Sequence, residues 1–425
     1  MVLSDRVRVD VLRQRHPDIL EKLQQTGKRN SKNSKRVQFC GIVSSLSGNP
    51  VVFIPRHLLS ESESGNLAAA SLTMKALKRY CISTPTRVGI ELGISSQLSK
   101  MLVSFRLAED FVRNGLYSER VRYPSRDMGK PDWRKTIVKE LAMITSNGEP
   151  IYNSLRTTKI IDTHQSHLAL IHAAVLKEIS SLHSWWLDGL ASRSADLLKV
   201  PKPVYKKKLW AVILKNILPN LYSRRSMFLA RNLIDYLEEN SSIAEGNILL
   251  GLEDFSSVWE GMLSSVLPNA EQGWNKKLPS AGYILDDTFE DGELLQSSMR
   301  MDTVIRTSNV LRIVDAKYYG AEDINSVPSW PDIVKQLYYH KAMESVVEAD
   351  MKITNCFVFP CSKDSAKRYS SVRLFNNNKI LDVFPVIDCV YLDVMEVMKA
   401  YTSRRKLNFP FQHASEVEVN EEEVT

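Results

Sequence analysis

The spacing of apolar residues changes character along the chain. Helical spacing dominates from 160 to 245, with Leu168, Ile171, His172 and Val175 on one face, and recurs over 66–80. Residues 1–25 predict a short helix, and 37–55 predict a hairpin around Ser47-Gly-Asn-Pro50. Glu238-Glu-Asn-Ser-Ser-Ile-Ala-Glu-Gly246 is a polar break, beyond which the pattern reads helix, strand, strand, helix, strand. That order predicts an α+β protein with a mixed central sheet flanked by helices. The break divides the chain into 1–245, a β-hairpin and helical region, then 246–412, the sheet domain, and an acidic tail at 413–425. No internal repeat is found.

Within the sheet domain, Arg300-Met-Asp-Thr-Val-Ile-Arg306 and Val310-Leu-Arg-Ile-Val-Asp-Ala-Lys-Tyr318 flank a tight turn with Ser308 and Asn309 as its central pair. Such a turn predicts an antiparallel hairpin in which Thr307 faces Val310 and Asp302 faces Asp315. Side chains alternate along a strand, so Asp315 and Lys317 share a face. Two carboxylates and an ammonium then converge where apolar neighbours would be expected, and a buried acid needs a partner or a metal. A slip of one residue would send Asp302 to the opposite face. An acid two residues before a lysine is weak evidence alone, since Asp350-Met-Lys352 is a second instance; the apolar setting of Asp315 distinguishes it.

The helix before the hairpin carries Phe255, Val258, Trp259, Met262, Leu263 and Val266 at amphipathic spacing. Glu260 falls roughly 120° from the centre of that stripe, so periodicity makes it a flank or surface residue. Ser329-Trp-Pro-Asp332 starts the later helix, with Pro331 suited to its first turn. Gln336 shares a ridge there with Tyr339 and His340, and by pattern alone is an ordinary surface amide.

Size and charge narrow the class. With 425 residues and 44% hydrophobic content the chain supports two or three cored domains. Five cysteines, at 40, 81, 356, 361 and 389, lack the paired spacing of zinc or redox motifs and read as buried thiols of a reducing cytosol. No stretch approaches the ~18 apolar residues of a membrane span, so a soluble cytoplasmic protein is expected. The net charge of +7 is unevenly spread: Lys28 to Arg36 is basic and Glu416 to Thr425 acidic. The basic stretch, like Lys206-Lys-Lys208, either tracks phosphates or is a solvated loop. His164, His167 and His172 lie in a leucine-rich segment without nearby Cys or carboxylates, which favours a helical structural role over metal binding. No Gly-x-x-x-x-Gly-Lys-Ser/Thr loop, Gly-x-Ser-x-Gly elbow or Gly-x-Gly-x-x-Gly fingerprint occurs.

The order helix with Glu260, strand with Asp302, strand with Asp315-Ala-Lys317, helix with Gln336 resembles the PD-(D/E)xK nuclease superfamily. More narrowly, Phe255-Ser-Ser-Val-Trp-Glu-Gly-Met-Leu263, Met301-Asp302, Ile313-Val-Asp-Ala-Lys-Tyr-Tyr319 and Asp332-Ile-Val-Lys-Gln-Leu-Tyr-Tyr339 resemble McrC and the LlaJI-type restriction nucleases. Val37-Gln-Phe-Cys-Gly-Ile-Val43, Val51-Val-Phe-Ile-Pro-Arg56 and Gly129-Lys-Pro-Asp-Trp-Arg-Lys-Thr136 resemble the same group. Met301 replaces the proline that names the superfamily, and Asp315 stands where many members have Glu; neither change removes a metal-binding oxygen.

The resemblance implies a DNA endonuclease subunit of a McrBC/LlaJI-like system restricting foreign DNA in a prokaryote. It implies a Mg²⁺ or Mn²⁺ ion held by Asp302 and Asp315, with Lys317 as catalytic cation. Glu260 would help hold the metal through water, and Gln336 would position the attacking water or contact a phosphate. A separate McrB-like AAA+ GTPase would supply nucleotide-driven function, and 1–245 would be the adaptor that docks on it. Two other readings remain: a DNA-binding or GTPase-stimulating subunit that does not cut, and a stand-alone resolvase, repair or transposase-like endonuclease.

Overall fold

Pairing between strands far apart in sequence decides the architecture. The computed structural model describes residues 1–26, 35–44, 51–83, 97–187, 189–241, 248–253, 255–282, 300–362 and 368–408. Basic residues 28–34, the polar break at 242–247 and the acidic tail lie outside the described residues. The chain forms two compact units, one of Met1–Leu92 with Ile248–Thr425 and one of Gly93–Asn247.

In the first unit, a four-stranded sheet sets Val2–Ser4 beside Val51–Ile54, then Cys40–Ser44, then Ile248–Leu252. The expected hairpin is present, with Gly41 opposite Phe53 and Val43 opposite Val51. Its other edge takes a strand from the far side of the expected domain boundary, with Cys40 opposite Leu252 and Gly41 opposite Gly251. Gly251 permits this approach, because a Cβ there would lie 2.3 Å from the Cys40 carbonyl oxygen and 2.5 Å from the Phe39 ring. Residues 1–92 are therefore built into the same unit as the sheet domain, unlike the expected single region 1–245. The expected helix over 1–25 is instead a strand followed by helices Val9–Arg15 and Pro17–Thr26. The break comes at His16 (φ −147°, ψ 66°), because a residue before proline avoids the α region. Leu12, Ile19 and Leu23 pack with Val43, Val51 and Phe53 in one core.

The same unit holds a six-stranded mixed sheet in the order Ala270–Glu271, Thr303–Arg306, Val310–Ala316, Lys352–Cys361, Ile387–Asp393, Ser371–Val372. Val310–Ala316 and Lys352–Cys361 are parallel. Parallel neighbours need a crossover, here helix Trp330–Glu344, which packs Tyr339, Ala342 and Met343 on Val304, Leu311 and Ile313. Helix Ser256–Val266 packs on both hairpin strands as well. Its stripe Phe255, Val258, Trp259, Met262, Leu263 and Val266 is buried as the periodicity predicts.

The second unit, Gly93–Asn247, is helical at both ends with a β-rich middle that the apolar spacing did not reveal. Strands Glu119–Arg126 and Arg156–Thr163 pair antiparallel, and a short hairpin joins Ala142–Ile144 to Pro150–Tyr152. The helices Gln97–Asn114, His167–His183, Lys207–Ile217 and Arg224–Ser241 make up most of the rest. Arg225 on the last donates to Asp110 on the first, from Nε to Oδ1 at 3.3 Å and from Nη2 to Oδ2 at 2.9 Å, a bidentate pair. No helix among the described residues is long and apolar enough to cross a membrane. All five cysteines are free thiols, four of them buried.

Candidate active site

The Thr303–Ala316 hairpin keeps the register the turn predicts. Thr303 pairs with Val314 and Arg306 with Leu311, and Thr307 donates its N–H to Val310 O at 2.9 Å. Beyond Thr303 the ladder stops, and Asp302 lies just outside the strand. Its Oδ2 accepts the Ala316 N–H at 2.8 Å, so a side chain continues the pairing where the backbone leaves off. That bond keeps the Asp302 carboxylate at the end of the strand that carries Asp315. The Lys317 N–H then donates to Val358 O at 2.9 Å, fixing the next residue of the motif to the neighbouring parallel strand.

Four charges of alternating sign line up from this point. Lys317 Nζ lies 2.8 Å from Asp315 Oδ2 and 2.6 Å from Asp332 Oδ1, while Lys335 Nζ stands 4.0 Å from Asp315 Oδ1. Asp315 is 3% exposed. Its Oδ2 is paired with Lys317 electrostatically yet lies off the line of a hydrogen bond, which leaves it able to accept another donor or a cation. Burial opposes charge on Lys317, but Asp315 and Asp332 outweigh it and hold the ammonium protonated well above the ordinary lysine range.

Asp302 is pushed the other way. Burial, then the charge of Asp315, then that of Glu260, raise its pKa far above the usual carboxylate range, and the Ala316 N–H only partly compensates. The Asp315 carboxylate is near enough for its charge to raise the proton affinity of Asp302. A cation beside the two would offset that repulsion and let Asp302 ionise. Hard oxygen donors suit Mg²⁺ or Mn²⁺, which keep waters and need only one or two protein carboxylates beside a phosphate oxygen. The residues present therefore fit the ion. Among the described residues no three His, Cys, Asp or Glu side chains converge into a complete cage.

The remaining predicted residues fall close by. Glu260 is half-buried on helix Ser256–Val266, and its charge is felt at Asp302. Gln336 is fully buried, which overturns the surface-amide alternative, and both polar atoms of its side chain lack a protein partner. Its backbone oxygen accepts the Asn355 Nδ2–H at 3.2 Å, seating this turn of the helix on strand Lys352–Cys361. An unpaired buried amide costs roughly 1–3 kcal/mol, so water or ligand is the natural occupant of its hydrogen bonds. Asp332 and Lys335 were not singled out from sequence. Their signal was spacing, since they lie four and one positions before Gln336 and so share or border its ridge.

Other candidates separate from the site. Lys352 of the second Asp-x-Lys sits opposite Val310, at the far end of the strand pair from Asp315, which faces Phe357. In the second unit, His164 Nδ1 donates to Tyr117 O at 2.9 Å and His172 Nδ1 accepts the Tyr117 N–H at 3.4 Å. These histidines hold one backbone residue from two sides. Lys207, in the second lysine cluster, pairs with Glu178 at 2.7 Å.

The sequence matches the family described as LlaJI restriction endonuclease over residues 39–398. The chain belongs to the LlaJI restriction endonuclease family. The match includes every site residue above, from Glu260 to Gln336. Among solved structures, a chain from the Thermococcus gammatolerans assembly of McrB AAA+ hexamers with bound McrC is similar at 11% identity and a TM-score of 0.44, covering 95% of this chain and 98% of that one. A chain of the Thermococcus gammatolerans McrBC complex is similar at 11% identity and a TM-score of 0.27, covering 62% and 85%. No curated protein matches this sequence.

Proposed function

We propose that this LlaJI-family chain is a metal-dependent DNA endonuclease subunit with PD-(D/E)xK-type chemistry. The observation that carries the reading is the set Asp302, Asp315 and Lys317 at the end of one hairpin, a half-buried acid, a buried acid and an ammonium brought together. Mg²⁺ or Mn²⁺ held by Asp302 and Asp315 supplies Lewis acidity and a more acidic water. Glu260 adds negative field beside Asp302. Lys317 stabilises charge growing on the phosphate by fixed electrostatics. The Gln336 amide, buried with its hydrogen bonds unmade, orients a water or a phosphate oxygen.

The partner is a separate AAA+ GTPase of the McrB type, since the sequence holds no phosphate-binding loop of its own. Docking falls to the Gly93–Asn247 unit. That unit leaves Trp133, Val138, Leu141, Ile144 and Ile151 exposed, with Leu141 95% accessible, and apolar exposure of this kind marks a surface that a partner covers. The test is cleavage of plasmid DNA by the full-length protein with Mg²⁺, with and without the GTPase and GTP. Metal-dependent cutting that needs Asp302 and Asp315 is the expected result. Equal cutting by Asp302→Ala and Asp315→Ala overturns the site. Efficient, site-specific cutting without nucleotide or partner overturns the coupling and favours a stand-alone endonuclease.

A further inference from the structure

We infer that Asp332 is a positioning residue for Lys317, an inference that rests on the nuclease reading above. Helix Trp330–Glu344 opens with a capping box in which Asp332 is the reciprocal partner of Ser329. The two oxygens of its carboxylate divide the work. Oδ2 accepts the Ser329 N–H at 3.1 Å and the Ser329 hydroxyl at 2.8 Å, while Oδ1 takes Lys317 Nζ at 2.6 Å. One short side chain thereby fixes the start of the crossover helix and grips the ammonium at the end of the preceding strand. A cap needs only one oxygen acceptor, so the charge and the second oxygen are left for Lys317.

Lys317 needs such a grip. Its other ion-pair partner is Asp315, whose oxygens are those proposed for the cation, and a lysine paired to that acid alone would be left with only the face of the Phe357 ring, 5.6 Å away. The lysine side chain is 12% exposed, so it cannot swing to water to find a new partner without leaving the site. Asp332 stands on the opposite side of the ammonium in the alternating series of charges and belongs to a rigid helix terminus. It holds Nζ at the reacting end of the strand whatever Asp315 binds. Lysine has several rotatable bonds and loses its preorganised position when one end is freed, and a misplacement of about 1 Å in such a group costs about 10²-fold in rate.

The test uses the full-length protein and four variants in Mg²⁺-dependent plasmid cleavage with the GTPase present: Asp332→Asn, Asp332→Glu, Lys317→Ala and the double variant Lys317→Ala/Asp332→Asn. Asparagine keeps an oxygen for the Ser329 N–H and removes the charge; glutamate keeps both charge and cap. The expected result for Asp332→Asn is a loss in kcat of about 10²-fold, with KM for DNA, Mn²⁺ affinity by calorimetry and melting temperature close to wild type. Asp332→Glu recovers part of the loss, and the double variant is no slower than Lys317→Ala. Three results overturn the inference: wild-type kcat in Asp332→Asn, multiplicative losses in the double variant, or a loss that tracks Mn²⁺ affinity or melting temperature. Asp315→Ala, run alongside, separates the two ideas. An inactive Asp315→Ala beside a fully active Asp332→Asn removes only the role of Asp332, whereas an Asp315→Ala that cuts normally removes the nuclease site itself.

Discussion

Asp302 reaches past the end of its own strand and accepts the backbone N–H of Ala316, the residue between Asp315 and Lys317. One hydrogen bond thus sets the spacing of the two acids and ties it to the motif lysine. Desolvation and the charges of Asp315 and Glu260 raise the proton affinity of Asp302, and a cation beside it would offset both. Roles within the triad should separate on mutation.

Asp302→Ala and Asp315→Ala are expected to weaken Mn²⁺ binding at least tenfold and to abolish Mg²⁺-dependent cleavage. Lys317→Ala is expected to bind Mn²⁺ as well as wild type while losing 10²-fold or more in turnover, roughly the worth of an electrostatic transition-state contact. Calorimetry and plasmid cleavage on the same preparations decide it. Unchanged metal affinity in Asp302→Ala would remove that residue from the ligand set.

Gly251→Ala is expected to destabilise the first unit by about 1–3 kcal/mol or more, the usual cost of forcing atoms into filled space. The added Cβ meets the Cys40 carbonyl and the Phe39 ring, so the strand pairing that joins residue 40 to residue 252 must open. Thermal melting monitored by circular dichroism provides the measurement. A variant as stable as wild type would mean that this pairing contributes little.

Replacing 97–241 with a flexible linker is expected to leave a folded, Mn²⁺-binding unit that no longer joins the GTPase. Deleting 1–92 is expected to prevent folding. That deletion removes three strands of the four-stranded sheet and Asp5, whose Oδ2 accepts the Tyr318 hydroxyl at 2.8 Å one residue past Lys317. Melting curves and co-purification with the GTPase distinguish the two. A stable, metal-binding 248–425 fragment would contradict the pairing seen here.

Stability of the second unit is expected to fall on mild acidification. His172 is fully buried, and burial lowers its pKa from 6.5 to about 4. Between those values the unfolded chain binds the proton and the folded one does not, so unfolding gains ground as pH drops, by about 3 kcal/mol at the lower limit. His172→Asn keeps an acceptor for the Tyr117 N–H and removes the titration. Its melting temperature should depend less on pH than that of wild type between pH 6.5 and 4; identical slopes would assign the acid sensitivity elsewhere.

Short-range information determined the local parts of this protein. The two-residue turn at Ser308 and Asn309 set the hairpin register, because each ladder pair follows from the one before it. The buried stripe of Ser256–Val266 followed from helical periodicity, and Pro331 marked the start of the crossover helix. Long-range contact decided the rest. No local pattern announces that Ile248–Leu252 pairs with Cys40–Ser44, since a strand's partner depends on which edges meet after collapse, and that pairing goes with 1–92 in the unit of the six-stranded sheet. Gln336 looked like a surface amide because an amide carries the same polar label on either face of a helix; only the seating of its turn on Asn355 buries it. Asp332 read as an N-terminal helix residue, which it is, but its second oxygen meets Lys317 only because the crossover returns the helix to the strand end it left.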